Sequence, residues 1–143
     1  MKGDPVPDGD HIARLCGGTR LDENGNVTGA CFRLRPQEAF LSVNWLELLS
    51  PDDRTAQLAG VRQALTDKKM SLGARAKLAV LSVGEVRGYV LRESPDARVL
   101  RVQHEPEEPN DPSHTAIFDL EPDGDLIADL IAEVVGKTYP ARE

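Results

Sequence analysis

The sequence predicts a single α+β domain built on a mixed or antiparallel sheet, with an early β-hairpin and about three helices. Three observations carry this. Strand-like and helical spacings mix irregularly along the chain instead of alternating as a regular βαβ array. Asn24-Gly25 is the clearest local turn signal, and it lies early, between alternating flanks. The strongest amphipathic helical pattern, DLIADLIAEVVG, comes late. With 143 residues and 40% hydrophobic composition, the chain can bury one core without disulfides. It carries no internal repeat and no linker.

Taken in order, residues 1–10 read as a flexible arm, acidic and punctuated by proline. Residues 11–137 read as the domain, and 138–143 as a C-terminal tail. HIARLC is too short to classify, and the Asn24-Gly25 turn leads to a return strand. There Thr28, Ala30, Phe32 and Leu34 share one face, and Cys31, Arg33 and Arg35 the other. Pro36 ends that strand. AFLSVNW alternates again: Leu41, Val43 and Trp45 point one way, and Phe40, half-exposed Ser42 and Asn44 the other. WLELL then turns helical.

Ser50-Pro51-Asp52-Asp53 predicts a helix start with Ser50 as the cap, and Leu58, Val61 and Leu65 facing inward. KLAVLSV is a buried strand. Ser82-Val83-Gly84-Glu85 is a capping box, starting a helix that runs through Arg92. Ser94-Pro95-Asp96 turns the chain into ARVLRVQ, a strand with Val99 and either Leu100 or Val102 buried. TAIFDL makes a further strand. After the turn Pro122-Asp123-Gly124, the last helix carries an apolar stripe of Leu126, Ile127, Leu130, Ile131, Val134 and Val135, and stops at Gly136.

Net charge is −7, and the imbalance lies late: from His104 to Asp125 there are eight carboxylates and no Lys or Arg. Such a surface repels phosphate backbones, so direct nucleic-acid binding is not expected. Arg14, Arg20, Arg33 and Arg35 could form a local basic patch, although arginines scattered over solvated strand faces are the simpler reading. No run is long enough to span a membrane, and the acidic beginning is unlike a signal peptide. A cytoplasmic location is expected, with Cys16 and Cys31 as reduced, buried thiols.

The chemistry-bearing residues are few. His104 and His114 bracket EPEEPNDPS, where Pro106, Pro109 and Pro112 recur every third residue and favour an extended path. The plain reading is an exposed acidic loop with two surface histidines. No calcium-loop ligand order is present. Four residues, His11, Arg14, His104 and His114, could serve a hydrolase or group transferase, histidine moving a proton and arginine holding a phosphate or carboxylate. His11, Cys16, Cys31 and His104 could instead ligate zinc, but their spacings lack the close pairs zinc sites favour. The basic junction Arg33-Leu34-Arg35-Pro36 with Glu38 reads as a solvent-facing turn between strands. No P-loop, G-x-S-x-G, H-E-x-x-H or G-x-G-x-x-G is present, so no cofactor is expected. The favoured expectation is a non-catalytic accessory module. It would dock a partner with a basic surface through Glu105, Glu107, Glu108 and Asp111. A histidine-dependent hydrolase or transferase and a zinc-stabilised domain are the alternatives.

Overall fold

Six strands of about 4.8 Å spacing make a sheet about 24 Å wide, whereas one helix covers only about 10 Å of it. How the helices are shared between the two faces therefore decides what stays open. The computed structural model describes residues 2–122 and 124–142. Met1 of the expected arm, Asp123 of the expected turn and Glu143 of the expected tail lie outside the described residues.

The strands are β1 (His11–Cys16), β2 (Leu41–Trp45), β3 (Lys77–Ser82), β4 (Arg101–His104), β5 (His114–Phe118) and β6 (Thr138–Pro140). Their order in the sheet is β4-β5-β2-β1-β3-β6, and every pairing is antiparallel. Four α-helices are described: α1 (Leu46–Leu49), α2 (Arg54–Asp67), α3 (Val83–Glu93) and α4 (Leu126–Glu133). The fold is α+β, as expected, and β1 with β2 forms its early hairpin.

Strand alternation sorts the core into two layers. Ile12, Leu41, Val43, Ala79, Leu81, Val102 and Ile117 point to the face covered by α3, α4 and a 3₁₀ turn at Gly29–Phe32. Ala13, Leu78 and Val80 point to the other face, where Leu58, Val61 and Leu65 of α2 meet them. The inward face of α2 is the one expected. α3 starts on its expected capping box, Ser82 Oγ accepting from Glu85 N at 3.3 Å.

Several local expectations need correction. The Asn24-Gly25 turn forms, with Gly25 at φ +81° and Asp22 Oδ1 accepting from Asn24 N and Asn26 N. Its flanks, however, make only the single bridge Leu21–Val27. The expected return strand is instead the 3₁₀ turn, capped by Thr28, because it packs end-on beneath α4. A side chain at Gly29 would strike Asp129. Helix α2 begins three residues late: Ser50 N closes α1 on Leu46 O, and Asp53 Oδ1 caps Ala56 N. Val99 is exposed, while Leu100 and Val102 are both buried. Residues expected as a tail supply β6 on the edge of β3. In the expected arm, Val6 is buried and its N–H donates to Val102 O. No helix of the described residues is long and apolar enough to cross a membrane.

Candidate functional site

Helix α2 covers the β1–β3–β6 side of its face and leaves the β2–β5–β4 side open. β1 and β2 pair only at Ile12–Trp45 and Ala13–Asn44, then part. The Arg14 guanidinium fills the fork, with Nε donating to Cys31 O at 2.9 Å and Nη1 to Ser42 O at 2.9 Å. Below the fork lies a cleft of about 410 Å³, whose lining includes Arg14, Arg20, Arg35, Ser42, Lys68 and His114.

Register explains why Ser42 and His114 meet. In the β2–β5 ladder Asn44 opposes His114 and Ser42 opposes Ala116, so the three polar side chains share the open face. Ser42 Oγ lies 3.0 Å from His114 Nε2, and His114 Nδ1 lies 2.7 Å from Glu105 O. A carbonyl oxygen only accepts, so Nδ1 carries the proton and Nε2 offers its lone pair to the Ser42 hydroxyl. Phe40 packs edge-on against His114, with centroids 5.8 Å apart.

Behind this pair is a buried polar network. Asp111, fully buried, accepts from Lys68 Nζ at 2.6 Å and from Asn44 Nδ2 at 2.7 Å. Asn44 Nδ2 also donates to Ser113 Oγ. Glu107 shares Lys68 at 3.2 Å and reaches within 3.9 Å of His114 Nε2. Burial pulls the Lys68 pKa down, but hydrogen bonds and charge from Asp111, then Glu107, outweigh it, leaving the ammonium above its ordinary 10.5.

The histidines expected on the surface are buried, His104 at 7% and His114 at 2% exposure. The acidic loop does not extend. It folds back through paired Glu107 and Asp111 backbones because Asn44 and Lys68 draw the Asp111 carboxylate inward. The three histidines do not converge. His104 pairs with Thr115, so it faces away from His114. It packs on Trp45, with Nε2 on Pro112 O at 2.8 Å and Nδ1 buried without a partner. His11 binds Glu47 with Nδ1 at 2.7 Å, beside a different cavity. Of the four candidate catalytic residues, only Arg14 and His114 line the cleft.

The zinc set is not assembled either: among the described residues no group of three or more His, Cys, Asp or Glu side chains could hold an ion. Cys16 and Cys31 are buried free thiols, donating to Arg14 O at 3.7 Å and Arg20 O at 3.5 Å. Their mutual influence, against desolvation, lowers Cys31 to about 7, and the same influence with burial pushes Cys16 up. Two readings of the arginines also change. Arg14, Arg20 and Arg35 line one cleft, while Arg33 pairs with Asp125 elsewhere.

Sequence reasoning did not single out Ser42, which the structure sets beside His114 in the cleft. Its signal was present: a polar pair, Ser42 and Asn44, on one face of a strand whose other face is core. No family model matches the chain, and no curated protein or solved structure is significantly similar to it.

Proposed function

We propose that the cleft is the active site of a small serine–histidine hydrolase or acyl transferase. One observation carries the reading: an oriented Ser42–His114 hydrogen bond at 3.0 Å opens onto a cleft able to admit a substrate. Ser42 Oγ attacks an ester or thioester carbonyl while His114 Nε2 takes the hydroxyl proton. Negative charge develops on the carbonyl oxygen inside a cleft lined by the Arg14 and Lys68 cations. As the intermediate collapses, the leaving group takes that proton from Nε2 and Ser42 keeps the acyl group. Water or an acceptor alcohol, deprotonated by the same nitrogen, then attacks the acyl carbon, and as the Oγ–acyl bond breaks Nε2 returns the proton to Ser42 Oγ. Glu105 O holds the ring tautomer throughout.

The acidic loop has less support as a docking surface. Asp111 is buried and Glu107 is engaged with Lys68, which leaves half-buried Glu105 and exposed Glu108 to meet a basic partner.

A fluorophosphonate probe, which phosphonylates activated serines, tests the reading. One label per chain is expected, at Ser42, lost in Ser42→Ala and slowed about 10²–10⁴-fold in His114→Ala. His104→Ala should label normally if it folds. An unlabelled wild type, or labelling indifferent to His114→Ala in a folded protein, would remove the hydrolase.

A further inference from the structure

The cleft is positive on a negative protein. Its charged lining comprises Arg14, Arg20, Arg35 and Lys68 against Glu38 and Glu107, four minus two, whereas the whole chain carries −7. Lys68 is neutralised by Asp111 and Glu107. The three arginines are not: among the described residues none of their side chains makes an ion pair with a carboxylate. Glu38 stands near them, but its Oε1 accepts from the backbone N–H of Arg35.

Arg14 is the telling member. Its guanidinium gives Nε and Nη1 to two backbone carbonyls, and Nη2 has no hydrogen-bond partner among the described residues although the residue lines the cleft. A part-buried cation hydrogen-bonded to carbonyl oxygens, with no carboxylate in ion-pair contact, is costly, and the cost falls when an anion arrives. Desolvation is the chief influence on this guanidinium and, with Arg20, pulls its pKa down further than Cys16, Glu38 and Cys31 raise it. A guanidinium edge with two rim arginines matches the paired oxygens of a carboxylate or phosphate.

The geometry points to a substrate that carries an oxyanion, seated on Arg20, Arg35 and the open Nη2 edge of Arg14, with its reacting acyl group over Ser42. This rests on the reading of Ser42 and His114 as the reacting pair, but it has its own readout. Inorganic phosphate and acetate are titrated separately into the full chain at low ionic strength. The His114 ring resonances are followed, with chloride at matched ionic strength as the control. Saturable binding of at least one is expected; phosphate alone would indicate a phosphorylated substrate, and acetate alone a carboxylate. Arg20→Gln with Arg35→Gln should weaken binding about tenfold or more. These residues are half-buried and exposed, so the fold should survive, as a denaturation midpoint would verify. Ser42→Ala should bind within about two-fold of wild type, since the anion seat excludes the hydroxyl. No response beyond chloride for either anion, or equal binding by the arginine double variant, would overturn the inference. Absence of serine labelling with anion binding intact would overturn the hydrolase alone.

Discussion

The sheet face that carries α2 is two surfaces in one. On the β1–β3–β6 side, Ala13, Leu78 and Val80 meet Leu58, Val61 and Leu65 in an apolar cluster, with Gln57 of α2 buried beside it. On the β2–β5–β4 side, the equivalent positions include Ser42, Asn44 and His114, arranged around a cleft. Both sides obey the same strand alternation, so the difference is not local conformation. It is coverage. A single 14-residue helix can shield about half of six strands. The chain builds its apolar cluster where that helix reaches and sets Ser42, Asn44 and His114 beyond it. Structure is concentrated on one side and candidate chemistry on the other, and substitutions should separate them.

The largest expected separation is Ser42→Ala against Leu78→Ala. Removing the hydroxyl should reduce turnover about 10⁴-fold or more, while stability changes by about 1 kcal/mol, one hydrogen bond's worth. Leu78→Ala should do the reverse, lowering stability by about 2–5 kcal/mol through a core cavity with serine labelling intact in the folded fraction. Urea denaturation and probe labelling of both variants decide this. If Ser42→Ala unfolded the chain, the open side would be core after all.

Asp111→Ala comes next, because the network beneath the cleft is where the two sides meet. Asp111 is fully buried and holds Lys68 and Asn44. Its removal leaves buried donors unpaired, at a cost of about 3 kcal/mol, the low end for a buried pair because Lys68 keeps Glu107. The pH dependence has a definite sign. Folding raises the Lys68 pKa above 10.5. The pair's contribution is therefore fully present below that value and is lost as pH rises through the higher folded value. Stability measured against Lys68→Met should converge on wild type only on that alkaline limb. Convergence already near neutrality would contradict the assigned pairing.

Much of the framework was legible in the sequence, and the reason is periodicity. The α2 stripe, the Ser82 cap and the alternation of LSVNW all follow from local rules. What failed depended on contacts distant in sequence. The strand expected over residues 28–35 is a 3₁₀ turn because α4 lies over Gly29. The loop expected to extend between His104 and His114 folds back because Asn44, 67 residues away, binds Asp111. The site suffered most. Arg14 and His114 could be named from residue type, but pairing register alone puts His104 on the opposite face and Ser42 beside His114.

Gly25→Val probes a turn outside the sheet, where a Cβ would meet only the Lys77 side-chain end at the start of β3. A β-branched residue at φ +81° is strained by about 1–2 kcal/mol. Because the flanks share one bridge and not a strand ladder, the turn need not hold the sheet together. The unfolding free energy from urea denaturation should fall by that amount while labelling of Ser42 is unchanged. A loss of labelling at equal folded fraction would tie this turn to the cleft.

The smallest effect separates two neighbouring acids. Glu107 and Glu108 are both exposed, but only Glu107 faces the cleft, sharing Lys68 and lying 3.9 Å from His114 Nε2. If the cleft draws in an oxyanion, Glu107 opposes it. Glu107→Gln should then raise kcat/KM for an anionic ester by about two-fold, the scale of one exposed charge. The gain should shrink as salt screens it and vanish for a neutral ester of the same size. Lys68 stays in place through Asp111 at 2.6 Å, so the gain would not come from a collapsed network. Glu108→Gln removes an equal charge a residue away and should change neither ester. Were the two variants to speed the anionic ester equally, the effect would belong to the net charge of the chain and not to the cleft. Were both to weaken capture of a basic partner while leaving hydrolysis untouched, the acidic loop would regain the role expected from its composition.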